Sequence, residues 1–96
     1  MRPFITPFAF NGEANSGDSV QLTCHVSKGD LPIKIHWLHN NLKIHSNLGV
    51  LASKMGDRIS LLTVSSVSAI NSGIYSCIAT NFAGVFNQSA ELFVNG

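Results

Sequence analysis

Asn71-Ser72-Gly73-Ile74-Tyr75-Ser76-Cys77 is the stretch that decides the fold, and two earlier residues complete it, Cys24 and Trp37. The order Cys, Trp, Tyr-x-Cys answers separate needs of one architecture. A disulfide can join the facing sheets of a β-sandwich, and a large indole can pack against it. A tyrosine two residues before the second cysteine can pin the preceding corner through its hydroxyl. The pattern predicts an all-β sandwich with a Cys24–Cys77 disulfide and Trp37, Tyr75 and Leu62 in its core. The alternative is two buried free thiols in a reducing compartment. The sandwich pattern around both residues, and the rarity of disulfides in such compartments, favour an oxidising, extracellular setting.

A chain of 96 residues has room for one domain and one core, so residues 1–96 read as a single unit. A domain of this size is marginal without help, and cross-linking so long a loop stabilises by roughly 4 kcal/mol in the chain-entropy model. Only 11% of residues are charged, and the formal net charge is +1. That balance offers no basic stripe for a phosphate backbone, so nucleic acid is not an expected partner. The five acids, Glu13, Asp18, Asp30, Asp57 and Glu91, are scattered and form no carboxylate pair. No apolar run approaches the roughly 18 residues of a membrane span, and Met1-Arg2-Pro3-Phe4 does not open a secretory signal. The chain reads as a fragment of a longer multidomain extracellular protein, with membrane association only through other parts.

Period-two alternation dominates, and no helical stripe is present. Pro3 to Phe10 reads as an edge strand, split near Pro7 because proline cannot donate to a ladder in mid-sheet. Asn11-Gly12 and Ser16-Gly17-Asp18 read as turns. Strand B is expected over Ser19–Ser27, with Leu22, Cys24 and Val26 on one face and Gln21, Thr23 and His25 on the other. Strand C runs from about Ile33 to His39, with Ile35 and Trp37 inward. A turn at Asn40-Asn41 leads to C′ over Leu42–Ile44, then a polar stretch from His45 to Gly49 and a short strand D near Val50–Ser53. Leu62 and Val64 face inward on strand E, ahead of Val67. Strand F is expected over Gly73–Ala79 and strand G over Val85–Val94, joined by Asn81-Phe82-Ala83-Gly84. The short interval from Trp37 to Tyr75 leaves no room for a C″ strand. The sheets are therefore expected to be A-B-E-D and A′-G-F-C-C′, both antiparallel.

These residues resemble a known family. Leu62-x-Val64-x-x-Val67 followed by Asn71-x-Gly73-x-Tyr75-x-Cys77 is similar to the E–F signature of intermediate-set (I-set) immunoglobulin domains in adhesion molecules. Asn81-x-x-Gly84 is similar to their F–G turn, and Ala90-Glu91-Leu92-x-Val94 to their G strand. The run Ser27-Lys28-Gly29-Asp30-Leu31-Pro32-Ile33-Lys34-Ile35-His36-Trp37, with Arg58-Ile59-Ser60 and Glu91 to Gly96, resembles the arthropod Dscam (Down syndrome cell adhesion molecule) family. The likeness is to its isoform-variable seventh immunoglobulin domain and to the first domain of shortened chelicerate Dscam proteins. The resemblance implies an immunoglobulin-like β-sandwich and isoform-specific homophilic recognition, in neuronal self-avoidance and in immunity. It departs at Asn71, where the family usually places an aspartate that pairs with a basic residue near the start of strand E, here Arg58. An asparagine puts that ion pair in doubt.

No nucleophile elbow, metal-binding helix motif or phosphate-cradling glycine loop occurs, so no enzymatic role and no cofactor are expected. His25, His36, His39 and His45 could evoke zinc. But His36 and His39 stand three apart on a strand and point to opposite faces, so solvent-exposed histidines are the better reading. Asn87-Gln88-Ser89 matches the N-glycosylation sequon, and strand phase turns Asn87 outward on the G-F-C sheet, where a glycan would hinder close pairing. The opposite face is then the better binding surface. It presents Gln21, Thr23 and His25 from strand B and Leu61 and Thr63 from strand E, none formally charged. Such a face can meet a copy of itself without stacking like charges, as a two-fold contact requires. An ordinary solvated sheet face is the plain alternative, and the family resemblance decides for an antiparallel homophilic contact. The competing functions are a structural spacer domain and a receptor domain that binds a different protein through its B–C and F–G loops.

Overall fold

A computed structural model describes residues 1–10, 13–44 and 49–95. The expected turn at Asn11-Gly12, most of the polar stretch before Val50, including His45, and the terminal Gly96 lie outside the described residues. The described residues form ten strands: β1 (Phe4–Ile5), β2 (Ala14–Asn15), β3 (Val20–Lys28), β4 (Lys34–His39), β5 (Leu42–Lys43), β6 (Val50–Met55), β7 (Ile59–Val64), β8 (Gly73–Asn81), β9 (Gly84–Leu92) and β10 (Val94–Asn95). A 3-10 turn, Ala69–Asn71, precedes β8.

The first sheet has the order β1-β3-β7-β6 and the second β5-β4-β8-β9, which are the A-B-E-D and C′-C-F-G layers of the expected sandwich. β2 (strand A′) joins the G end by pairing with β10 in parallel; the other pairings among the described residues are antiparallel.

Alternation places the core. Leu22, Cys24 and Val26 of β3, Leu62 and Val64 of β7, Tyr75, Cys77 and Ala79 of β8 and Ala90 and Leu92 of β9 are all buried. Each set repeats every second residue, as one face of a pleated strand must. Cys24 and Cys77 bridge the two sheets with an S–S distance of 1.97 Å. Trp37 pairs with Cys77 across β4 and β8, and its indole Nε1–H donates to Ser60 Oγ of the facing sheet at 2.9 Å. That bond satisfies the one polar atom the buried indole carries.

The start of the chain differs from the expected long edge strand. Only Phe4–Ile5 pairs with β3, because Pro3 and Pro7 supply no N–H for a ladder. The following residues cross between the sheets and bring Phe8 against Trp37 and Phe10 against Tyr75, at centroid distances of 5.8 and 5.7 Å. β6 is longer than expected and reaches Met55.

His39 also departs from the solvent-exposed reading. It is only 9% exposed, lies flat on Tyr75 with ring centroids 4.4 Å apart, and its Nε2 meets the Ser72 carbonyl oxygen at 2.8 Å. A carbonyl only accepts, so Nε2 carries the proton. His39 occupies this place because Asn40 and Asn41 turn the chain immediately after it with φ of 52° and 67°, and asparagine tolerates that left-handed backbone. Asn40 then holds the far side of the corner. Its Oδ1 accepts the Ile74 N–H at 2.9 Å, and a Cβ on Gly73 would stand 2.5 Å from that oxygen. A side chain at position 73 would push the Asn40 amide out of that bond and would be strained at a φ of 129°, which glycine adopts freely.

Candidate recognition face

The outward surface of the first sheet is assembled by cross-strand register. Gln21, Thr63 and Leu51 form one rank across β3, β7 and β6; Thr23, Leu61 and Ser53 form the next; His25, Ile59 and Met55 form the third. Adjacent strands lie about 4.8 Å apart, so these nine side chains make a continuous patch. None of the nine is a lysine, arginine, aspartate or glutamate. Gln21, Thr23 and His25 are exposed, while Leu61 and Thr63 are half-buried because β7 is flanked on both sides.

The sequence reading named five members of this patch and missed four: Leu51, Ser53, Met55 and Ile59. Leu51 and Met55 are its most exposed apolar members, at 62% and 56%. The available signal was the phase of β6. Val50 is buried, so Leu51, Ser53 and Met55 must point the other way. Alternation is hard to see there because Ala52 and Lys54, on the core-facing side, lie where the sandwich opens and are exposed.

Arg58 lies beside this face at the start of β7 and is engaged from within. Its guanidinium donates to the carbonyl oxygens of Val26 at 3.3 Å and Gly29 at 2.8 Å, tying the B–C loop to the first sheet. Asn71, where the family usually has aspartate, is buried, and its Oδ1 accepts the Ser68 N–H at 2.9 Å. The amide thus serves the corner as a hydrogen-bond acceptor.

The opposite sheet presents a different surface. Ile78 is flanked by His36 on β4 and Asn87 on β9. Asn87 is exposed on β9, the last strand of that sheet, and its Oδ1 accepts from the Ser89 hydroxyl at 3.2 Å. The two sequon side chains therefore lie on one face of the strand and in contact. Among the described residues no cluster of three histidine, cysteine, aspartate or glutamate side chains could hold a metal ion, and no helix is long and apolar enough to cross a membrane.

The immunoglobulin domain model matches residues 2–81. The chain is 41% identical to the cell adhesion molecule Dscam1 of Drosophila melanogaster over 95 residues, which is 97% of this chain and 5% of that protein. The crystal structure of the Dscam1 Ig7 domain, isoform 5, superposes with a TM-score of 0.95 at 35% identity, covering 98% of this chain and 97% of that one. Isoform 9 of the same domain gives 0.90 at 39% identity, covering 98% and 100%. The chain belongs to the immunoglobulin domains of the Dscam family. Its relatives are cell adhesion molecules, a non-enzymatic family, and it spans about one-twentieth of the curated Dscam1 it matches.

Proposed function

We propose that this Dscam-type domain is an extracellular recognition module that binds an identical copy of itself, antiparallel, through the outward face of β3, β7 and β6. The observation that carries this reading is the three-rank patch free of formal charge. In a two-fold contact every residue near the axis meets its own counterpart, so a charge there would oppose itself in a partly desolvated setting. The exposed Leu51 and Met55 supply apolar area at the β6 end. The neutral Thr23, Thr63 and Ser53 supply hydroxyls that donate or accept as the partner requires.

Variation of these outward side chains would set which isoform recognises itself, the basis of neuronal self-recognition or immune recognition. The inter-sheet disulfide supports an extracellular placement, as the ectodomain of a membrane-anchored protein or as a secreted one. The Asn87 sequon supports a glycan on the opposite sheet, which would leave the first sheet as the open face.

Sedimentation equilibrium of the isolated domain over a wide concentration range tests the reading. Homophilic binding predicts a concentration-dependent dimer. A monomer at every concentration would favour a spacer domain, or a receptor domain whose partner is a different protein.

A further inference from the structure

We propose that the open side of the sandwich, between β4 and β6, binds an extended acidic peptide segment of a partner protein as an added strand on β6. Two strand edges face this gap. β6 ends the first sheet, and β5 pairs only with Leu38 and His39 of β4, so among the described residues β4 is paired over Lys34–Trp37 with β8 alone and its other edge is open. A cavity of about 680 Å³ opens between them, floored by Ile35, Trp37, Ile44 and Val50. A second, of about 390 Å³, continues it past Ile33.

The rim is basic. Lys43, Lys54 and His36 line the first cavity, Lys34, Lys54 and His36 the second, and among the described residues no acidic side chain lines either. Half of the six lysines and arginines of a chain with net charge +1 converge here, and the rest of the chain is net negative. Lysines on a free edge also guard against unwanted pairing, and a lysine on one edge serves that purpose alone. Here cations arrive from both edges onto one apolar floor. They repel a second copy of this chain, which would bring the same lysines, and they match a strand that carries carboxylates.

The backbone edge and the floor select a peptide over a sulfated sugar chain. An added strand takes its main-chain hydrogen bonds from β6 and places alternate side chains into the gap. A peptide of alternating acidic and apolar residues fits both features. A polysaccharide would use the lysines and leave the β6 amides and the apolar floor unused.

The test is fluorescence anisotropy with a labelled peptide of alternating glutamate and valine, titrated with the intact domain. The expected result is saturable binding that weakens with added salt. The double variant Lys34→Glu, Lys54→Glu should bind about tenfold more weakly or worse, the equivalent of about 1.4 kcal/mol. Both lysines are exposed, so the core is untouched; the pair Lys34→Gln, Lys54→Gln provides a milder check should the charge reversal disturb folding. The same peptide with alternate backbone nitrogens methylated should not bind. No saturable binding, or equal binding by the double variant, would overturn the proposal. Equal binding of the methylated peptide or of a heparin oligosaccharide would overturn strand addition, because a bare cationic patch would then suffice.

Discussion

The hydroxyl of Tyr75 donates to the carbonyl oxygen of Asn71 at 2.6 Å, tying β8 back to the 3-10 turn that precedes it. The turn is closed from its other end as well, where the Asn71 N–H donates to the Ser68 carbonyl at 2.9 Å. The tyrosine ring is fully buried, stacked on His39 and met edge-on by Phe10. One side chain thus joins the E–F corner, the end of β4 and the crossing segment before β2.

Tyr75→Phe removes that hydrogen bond and keeps the ring. The expected loss of stability is about 0.5–1.5 kcal/mol, the usual net worth of one intramolecular bond. A lower urea midpoint with an unchanged slope would show it, and an unchanged midpoint would contradict the role of the hydroxyl.

The same residue predicts behaviour at alkaline pH. Burial raises the Tyr75 hydroxyl above its ordinary value, and the bond to Asn71 offsets this in part. The folded state therefore holds the proton more tightly than the unfolded chain, whose tyrosine titrates near pH ~10. That contribution to stability is fully present below the unfolded value and is lost as pH rises through the folded one. Tyr75 is the only tyrosine in the chain, so ultraviolet absorbance follows it directly. Ionisation is expected above the ordinary tyrosine range, and Tyr75→Phe should remove this component of the alkaline stability loss.

Replacing Cys24 and Cys77 together by alanine should cost about 2–5 kcal/mol, as removal of a native disulfide from a small domain does. Thermal unfolding of the variant checks this. A variant as stable as the parent would mean that the sandwich holds without its cross-link.

Much of this was legible from residue types alone. Cys24, Trp37, Tyr75 and Cys77 stand in the order one architecture requires, and Leu62, Val64, Ala90 and Leu92 carry the period-two signal of a half-buried strand. What escaped the reading depended on contacts distant in sequence. His39 shares the inward phase of Ile35 and Trp37, but its polar ring argued for exposure; the aromatic ring of Tyr75 and the carbonyl of Ser72 make its burial tolerable. The crossing of Phe8 and Phe10 between the sheets, and the full length of β6 with its outward Leu51 and Met55, were set by pairing that local alternation did not show.

Asn87 should carry an N-linked glycan when the domain is made in a secretory cell. Intact-mass analysis before and after enzymatic deglycosylation reads this out, and Asn87→Gln should abolish the added mass. An unmodified Asn87 in the secreted protein would leave the second sheet open and weaken the case for the first as the binding surface.

The central claim is that two copies meet through the first sheet, and sedimentation of paired variants tests it most directly. Thr23 and Leu61 are cross-strand neighbours in the middle rank of the face, so Thr23→Asp or Leu61→Asp sets two like charges together for each substitution in a two-fold dimer. Ile78→Asp places the same charge beside His36 and Asn87 on the opposite sheet. The account predicts that the Thr23 and Leu61 variants sediment as folded monomers while the Ile78 variant still dimerises like the parent. A monomeric Ile78 variant alongside dimeric Thr23 and Leu61 variants would contradict it.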